Sequence, residues 1–261
     1  MSLDCYFICG TPRTGSTLLC SLLKSSGVAG VPESYFRKQD LKTWAAKWDV
    51  PVATNGSFLF SDYMKAAVAA GRTENGVCAV RVMWGTMAEL TSNLDESGVH
   101  TQDIHVQDIQ AQDIDVLGQN FGKTRFIYLK RQDYVAQAVS LLKAEQTDIW
   151  HIINDSKSEV PAQDYEYNFE RLRALRQEIA DDNQAWVQWF EENNIKPCEI
   201  FYEELSEKPV DTVLEVLGYL GLALPSDVIL KANNKRMADS HSASWIKRFQ
   251  TEIIISPLNY H

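Results

Sequence analysis

The chain has 261 residues, of which 45% are hydrophobic and 23% are charged, so it has enough apolar side chains for a globular core. Its formal net charge of −10 argues against a broad nucleic-acid surface, because binding many phosphates requires a basic face. No apolar run approaches the roughly 18 residues that a transmembrane helix needs. The N-terminus lacks the basic and apolar regions of a signal peptide, so we expect a cytoplasmic protein without a membrane span.

Cysteine and histidine spacing gives no indication of a metal site. The five cysteines contain no CxxC pair, and the five histidines show no HxxxH or HExxH spacing. Zinc sites usually depend on such short spacings. We therefore predict reduced, buried thiols and no bound metal.

Predicted strands and helices alternate along the chain. Residues 5–9 form a short apolar run closed by glycine, typical of a buried parallel strand, and residues 16–25 place leucines on one helical face. Further strands are predicted at 77–83, 125–129 and 199–202, with helices at about 58–70, 86–94, 133–146, 168–193 and 209–220. This order predicts an α/β fold, a single domain over residues 1–261 whose parallel sheet is covered by helices on both faces.

One segment around residues 100–116 does not follow this pattern. Gln-Asp-Ile occurs there at 102–104, 107–109 and 112–114, a period of five that fits neither a helix nor a strand. The copies are too few for a solenoid. We expect an acidic insertion at the surface.

The connection from the first strand to the first helix reads Gly10-Thr11-Pro12-Arg13-Thr14-Gly15-Ser16-Thr17, and we call it the glycine loop (residues 10–17). Two glycines followed by a helix are typical of a P-loop, in which unpaired N–H groups at the helix N-terminus bind phosphate. Ser16 stands where nucleotide hydrolases have lysine, no obvious acidic pair for Mg²⁺ follows a strand, and the cation is Arg13. The loop therefore suits a phosphate-like group that arrives without Mg²⁺.

Several segments resemble one enzyme family. RTGSTLL at residues 13–19 is similar to the loop RSGSTLL, which binds the 5′-phosphosulfate in sulfotransferases that use 3′-phosphoadenosine 5′-phosphosulfate (PAPS). Collinear similarities follow at 27–32, 76–84, 131–140, 202–205 and 236–248, and together they resemble the bacterial Stf-zero family. The resemblance implies a P-loop-type, three-layer sulfotransferase fold, PAPS as co-substrate without a metal, and a homodimer.

The resemblance also assigns donor-binding roles. PAPS has a 5′-phosphosulfate and a separate 3′-phosphate, so it requires two anion sites. The residues implied for the first site are Arg13, Thr14, Gly15, Ser16 and Thr17, and those implied for the second are Arg131 and Ser140. Two further contacts are implied, Arg81, which replaces a lysine of the family, and Arg236. The alternatives are an ion pair with Asp133 for Arg131 and a solvated charge for Arg236.

Transfer to a hydroxyl needs a base for the acceptor proton and positive charge near the leaving oxygen. Arg13 is the candidate for the charge, and Arg81 is a second candidate. The family's base is a glutamate two residues after the proline of a GxPxE turn, but Ser34 has that position here and Glu33 precedes it. We predict that Glu33 is the base. The alternative is a solvated Glu33, with another group or none as the base.

The acceptor side departs from the trehalose-sulfating type, which has Gln before the loop arginine and Glu after the GVAG turn. Pro12 and Val31 stand there, and neither side chain can bind a sugar hydroxyl. We predict a small carbohydrate or glycolipid acceptor, but not trehalose in the same pose. Tyr35, Trp44 and Trp48 can either stack on a sugar or pack as ordinary helix neighbours. Two alternative functions remain open, a non-catalytic PAPS- or nucleotide-binding protein and a P-loop phosphotransferase without the usual lysine.

Overall fold

The computed structural model describes residues 3–96, 113–147, 165–231 and 240–255. The strands in these ranges are β1 (Cys5–Gly10), β2 (Cys78–Met83), β3 (Thr124–Lys130) and β4 (Cys198–Phe201). The helices are α1 (Ser16–Ser25), α2 (Leu41–Lys47), α3 (Phe60–Ala70), α4 (Trp84–Glu96), α5 (Asp113–Phe121), α6 (Tyr134–Thr147), α7 (Phe169–Glu192), α8 (Tyr202–Glu207), α9 (Pro209–Leu220) and α10 (Ser240–Ile255). Over those same ranges, no helix is both long enough and apolar enough to cross a membrane.

The strands form one parallel sheet in the order β2-β1-β3-β4. β1 lies between β2 and β3, and its last residue, Gly10, aligns with Met83 on one side and Leu129 on the other. All of β1 is buried, as expected for a strand that is covered on both faces. The predicted parallel sheet is confirmed.

Helices pack on both faces of this sheet. Cys5, Phe7 and Cys9 lie on one face, in a core with side chains of α3, α4, α5 and α7. Tyr6 and Ile8 lie on the other face, in a core with side chains of α1 and α9. The predicted three-layer α/β architecture is therefore confirmed, and all five cysteines are free thiols.

Several helices were not predicted from the sequence pattern or begin at a different residue. α1 has its predicted bounds, whereas α4 starts at Trp84, directly after β2, and Tyr202 begins α8 instead of ending a strand. The sequence pattern indicates neither α5 nor α10, and α2 and α8 are too short for a clear period. The first two Gln-Asp-Ile copies lie outside the described residues, and the third runs into α5, whose buried side chains are Val116, Leu117 and Phe121.

Gly30 fixes the turn that follows α1, and this contact can be tested. Its φ is +69°, and an ideal Cβ there would lie 2.7 Å from Ala79 Cβ and 2.8 Å from Ala79 N. Gly27 has a φ of +72°, but a Cβ at that position meets nothing within 4 Å. We expect Gly27→Ala to lower the free energy of unfolding by about 1 kcal/mol through backbone strain alone.

Gly30→Ala should lower the free energy of unfolding by about 1–3 kcal/mol more than Gly27→Ala does, because the added methyl group also crowds β2. Urea denaturation of the two variants measures the difference. Equal losses would contradict the close approach at Gly30.

Candidate active site

The glycine loop joins the buried end of β1 to the N-terminus of α1. The chain passes twice through the left-handed region, at Arg13 with a φ of +67° and at Gly15 with a φ of +82°. An ideal Cβ on Gly15 would lie 2.5 Å from the ring of Tyr202, so this contact requires glycine. The first N–H groups of α1, which have no intrahelical acceptors, open onto this loop.

Four successive carbonyl groups of the loop accept hydrogen bonds from side chains. The pairs are Gly10 O with Trp186 Nε1 at 3.0 Å, Thr11 O with Thr14 Oγ1 at 2.9 Å, Pro12 O with Gln137 Nε2 at 2.7 Å, and Arg13 O with Arg131 Nη1 at 3.3 Å. In a trans peptide the carbonyl and the following N–H point in opposite directions. Each bound carbonyl therefore directs the N–H of the next residue away from its own donor, and main-chain N–H groups at a helix N-terminus suit an anion.

Two arginines meet at the same loop. Arg13 Nε donates to Ser140 Oγ at 3.0 Å, and the Arg131 guanidinium lies 4.5 Å from the ring centroid of Tyr202. Burial lowers the pKa of Arg13, and the nearby charge of Arg131 lowers it further. Two like charges at a helix N-terminus repel each other, and a bound anion would offset this repulsion.

Carboxylates fix the chain around the end of β3. Asp133 Oδ1 accepts from the N–H of Ala136 at 2.8 Å and so caps α6. Glu203 accepts from the N–H of Gln132 at 3.2 Å. Asp133, considered above as an ion-pair partner of Arg131, therefore has a structural role of its own, while Arg131 reaches the glycine loop.

Arg81 connects α1 to the turn that contains Glu33. Its Nε donates to Ser34 Oγ at 2.9 Å, its Nη1 donates to Thr17 Oγ1 at 3.1 Å, and its Nη2 lies 4.0 Å from Glu33 Oε2. The backbone of Glu33 pairs with Val80 of β2, and the carbonyl of Glu33 accepts from the N–H of Arg81 at 3.0 Å. The Glu33 side chain is 39% exposed, so a substrate hydroxyl can reach its carboxylate.

Both residues of the displaced turn contact the same guanidinium. Glu33 approaches Nη2 of Arg81, and Ser34 accepts from Nε of the same side chain. The carboxylate of Glu33 therefore lies beside Arg81, although it is one residue earlier than the glutamate of the family's turn.

The structure thus brings together Arg13, Thr17, Arg81, Arg131 and Ser140, with Thr14 and Ser16 buried in the same loop. Arg236 lies outside the described residues. Within the ranges that the structure describes, no group of three or more His, Cys, Asp or Glu side chains is placed to hold a metal ion.

The aromatic side chains near Glu33 pack against one another. Tyr35 is 2% exposed, and its ring centroid lies 5.3 Å from that of Trp44 and 5.5 Å from that of Trp48. The two tryptophans stack at 5.1 Å and border the core. These contacts favour helix packing over a sugar-binding platform.

The sequence pattern indicates no role for three residues whose side chains contact the loop: Gln137, Trp186 and Tyr202. Gln137 and Tyr202 lie in segments that resemble the family, but no local signal indicates that their side chains contact the glycine loop. Trp186 lies 176 residues from Gly10 in the chain, and its position in α7 is that of an ordinary core residue.

The Arg81 connection should contribute to stability. We expect Arg81→Met to lower the free energy of unfolding by about 2–4 kcal/mol, since charge-assisted hydrogen bonds contribute roughly 1.5–3 kcal/mol each. Arg37→Met is the matched control, because Arg37 makes an exposed ion pair with Asp40 at 3.2 Å, worth about 1 kcal/mol or less. Chemical denaturation compares the two, and similar losses would contradict a connecting role for Arg81.

Comparison with known proteins identifies the family. The model of the Stf0 sulphotransferase family matches residues 5–252. The chain is 28% identical to trehalose 2-sulfotransferase of Mycolicibacterium smegmatis and 26% identical to that of Mycobacterium tuberculosis, in each case over 95% of this chain and 94% of the relative. A crystal structure of a sulfotransferase from Alicyclobacillus acidocaldarius is similar with a TM-score of 0.44 and 13% identity, covering 97% of this chain and 96% of that one. The chain belongs to the Stf0 sulphotransferase family and is an enzyme of the sulfotransferase type.

Proposed function

We propose that this enzyme transfers the sulfuryl group of PAPS to a hydroxyl of a carbohydrate or glycolipid, with Glu33 as the base. The observation that carries the proposal is the arrangement at one end of α1. Arg13 and Arg131 meet there at the glycine loop, and Arg81 connects Thr17 of the same helix to Glu33. Similarity to trehalose 2-sulfotransferases supports a carbohydrate acceptor.

The residues present fit a donor with two anionic groups. The N–H groups of Thr14, Gly15, Ser16 and Thr17, with Arg13, would hold the phosphosulfate. Arg131 and Ser140 would hold the 3′-phosphate at the carboxyl end of β3, and Arg236 remains a proposed further contact. Arginine suits this task because its guanidinium binds phosphate with two parallel hydrogen bonds. When bound, PAPS supplies the sulfuryl group and an anionic leaving group.

The chain's own residues then divide the chemical work. The Glu33 carboxylate accepts the proton of the acceptor hydroxyl. Arg13 and Arg81 supply positive charge near the leaving oxygen, and they are fixed by Ser140 and Thr17 before substrate arrives. Arg81 lies between the base and α1, because its N–H donates to Glu33 O at 3.0 Å and its Nη1 donates to Thr17 Oγ1 at 3.1 Å.

The acceptor should bind differently from trehalose in the trehalose-sulfating type. Val31 has an apolar side chain, and its N–H and carbonyl are engaged by Gly71 O at 2.8 Å and Tyr35 Oη at 2.7 Å. The Pro12 carbonyl is engaged by Gln137. A single domain over residues 1–261, a cytoplasmic location and a homodimer, which the sequence and the resemblance imply, belong to the same proposal.

Donor selectivity tests the two anion sites. We expect 3′,5′-bisphosphoadenosine (PAP) to bind in EDTA at least about tenfold more tightly than AMP, because AMP lacks the phosphate that Arg131 and Ser140 would bind. Isothermal titration calorimetry measures both affinities. In Arg131→Ala the two nucleotides should bind almost equally, and equal binding to the unchanged protein would contradict the second site.

The base is tested by one isosteric change. Glu33→Gln keeps the size of the side chain but removes the proton acceptor, so kcat should fall by roughly 10²–10⁴-fold while PAP affinity stays the same. Ser34→Ala is the neighbouring control and should have a mild effect, since it removes one acceptor of Arg81. Normal turnover in Glu33→Gln, together with an inactive Ser34→Ala, would assign the base to the wrong residue.

A further inference from the structure

Two fully buried side chains contact the glycine loop from the helices that pack behind it. Gln137 of α6 donates through Nε2 to Thr11 Oγ1 at 2.8 Å and to Pro12 O at 2.7 Å. Trp186 of α7 donates through Nε1 to Gly10 O at 3.0 Å. Both side chains have 0% exposure, so neither can touch the substrates directly.

Gln137 keeps this position although one of its polar atoms is poorly satisfied. Its Oε1 is buried and has no hydrogen-bond partner within the part of the chain that the structure describes. A buried polar atom without a partner costs free energy, and an apolar side chain of similar shape would avoid this cost. The compensating feature is the amide group, whose two hydrogen bonds both end on the glycine loop.

Trp186 links the start of the loop to the start of α4. Its ring meets Trp84 edge-on, with centroids 5.1 Å apart and planes at 73°, and stacks with Phe190 at 5.5 Å. The indole is therefore fixed on two sides while its N–H points at Gly10 O. A phenylalanine would keep most of this packing and lose only the donor.

The consequence for the loop follows from the peptide geometry. No peptide bond in the described ranges is cis. Holding the carbonyl of Gly10 therefore directs the N–H of Thr11 away from Trp186, and holding the carbonyl of Pro12 directs the N–H of Arg13 away from Gln137. Pro12 has no N–H of its own, so Gln137 takes up its single main-chain hydrogen-bonding group.

We infer that Gln137 and Trp186 are positioning residues for the sulfuryl donor. They hold two carbonyls of the glycine loop on its buried side, so that its N–H groups and Arg13 face the anion before it binds. This role rests on the proposed use of PAPS. Neither residue is catalytic, because both act through the loop.

Trp189 provides a matched control for Trp186. It lies three positions further along α7 in the same aromatic cluster, is 5% exposed, and donates through Nε1 to Asp113 Oδ2 at 2.6 Å, away from the glycine loop. Trp186→Phe and Trp189→Phe each remove one hydrogen bond that the indole N–H donates. They also remove a similar side-chain volume from the same helix. Gln137→Met, which keeps length and loses the amide, tests the second contact independently if Trp186→Phe fails to fold.

The first measurement is hydrogen exchange of the ligand-free variants, and the second is PAP binding by calorimetry. Trp186→Phe and Gln137→Met should speed exchange in a peptide covering residues 10–17. The Kd for PAP should rise by about tenfold in Trp186→Phe, which loses one hydrogen bond, and by about tenfold or more in Gln137→Met, which loses two. KM for PAPS should rise in parallel, and KM for the acceptor should not change. Trp189→Phe should leave loop exchange and Kd unchanged.

The two proposals can fail separately. Unchanged exchange in residues 10–17 of both variants would overturn the positioning role, whether or not nucleotide binds. Absence of PAP binding to the unchanged protein would overturn the proposed donor. Normal PAP binding by both variants would overturn the positioning role and leave the proposed donor in place.

Discussion

The close approach of β1 and β3 at Gly10 determines how the site is built. An ideal Cβ on Gly10 would lie 2.8 Å from Leu129 O, so the strands meet there at a distance that only glycine allows. The chain leaves the sheet still buried, and Thr11 and Thr14 have 0% exposure. Main-chain carbonyls in such a place must find donors inside the protein. They find them in the side chains of Trp186 in α7, Gln137 in α6, Thr14 of the loop itself and Arg131 after β3.

The positive charges at the site are also fixed by contacts inside the protein. The protein is acidic overall, with a net charge of −10, yet Arg13, Arg81 and Arg131 all lie around the N-terminus of α1. Each guanidinium is fixed by a contact inside the protein, with Ser140, Thr17 or Tyr202. Arginines fixed before binding lose little conformational freedom when an anion arrives, and the local field opposes the long-range charge of the chain. A small, highly charged donor suits such a pocket better than an extended polyanion does.

The local parts of the fold and site could be predicted from the sequence, and the lateral contacts could not. β1, the glycine loop and α1 form one continuous segment, so glycine spacing and helical periodicity locate α1 at 16–25, as observed. The bond from Gln137 to Thr11 joins residues 126 apart, and that from Trp186 to Gly10 joins residues 176 apart. Neither is encoded by a local pattern, because a buried Gln and a buried Trp look like ordinary core residues of a helix. The place of Glu33 likewise depends on how Gly30 packs against Ala79. For that reason the turn motif indicates Glu33 as a candidate base, but its contact with Arg81 could not be predicted.

The proposed activity of this arrangement is transfer of the sulfuryl group of PAPS to a carbohydrate hydroxyl. Its most direct test is incubation with isotopically labelled PAPS in EDTA, with a panel of sugars and glycolipids, followed by mass spectrometry of the products. The account predicts a labelled sulfate on a carbohydrate acceptor, formed by the unchanged protein and reduced by roughly 10²–10⁴-fold in rate by Glu33→Gln. Tight PAP binding without sulfate transfer to any carbohydrate or glycolipid on the panel would contradict it.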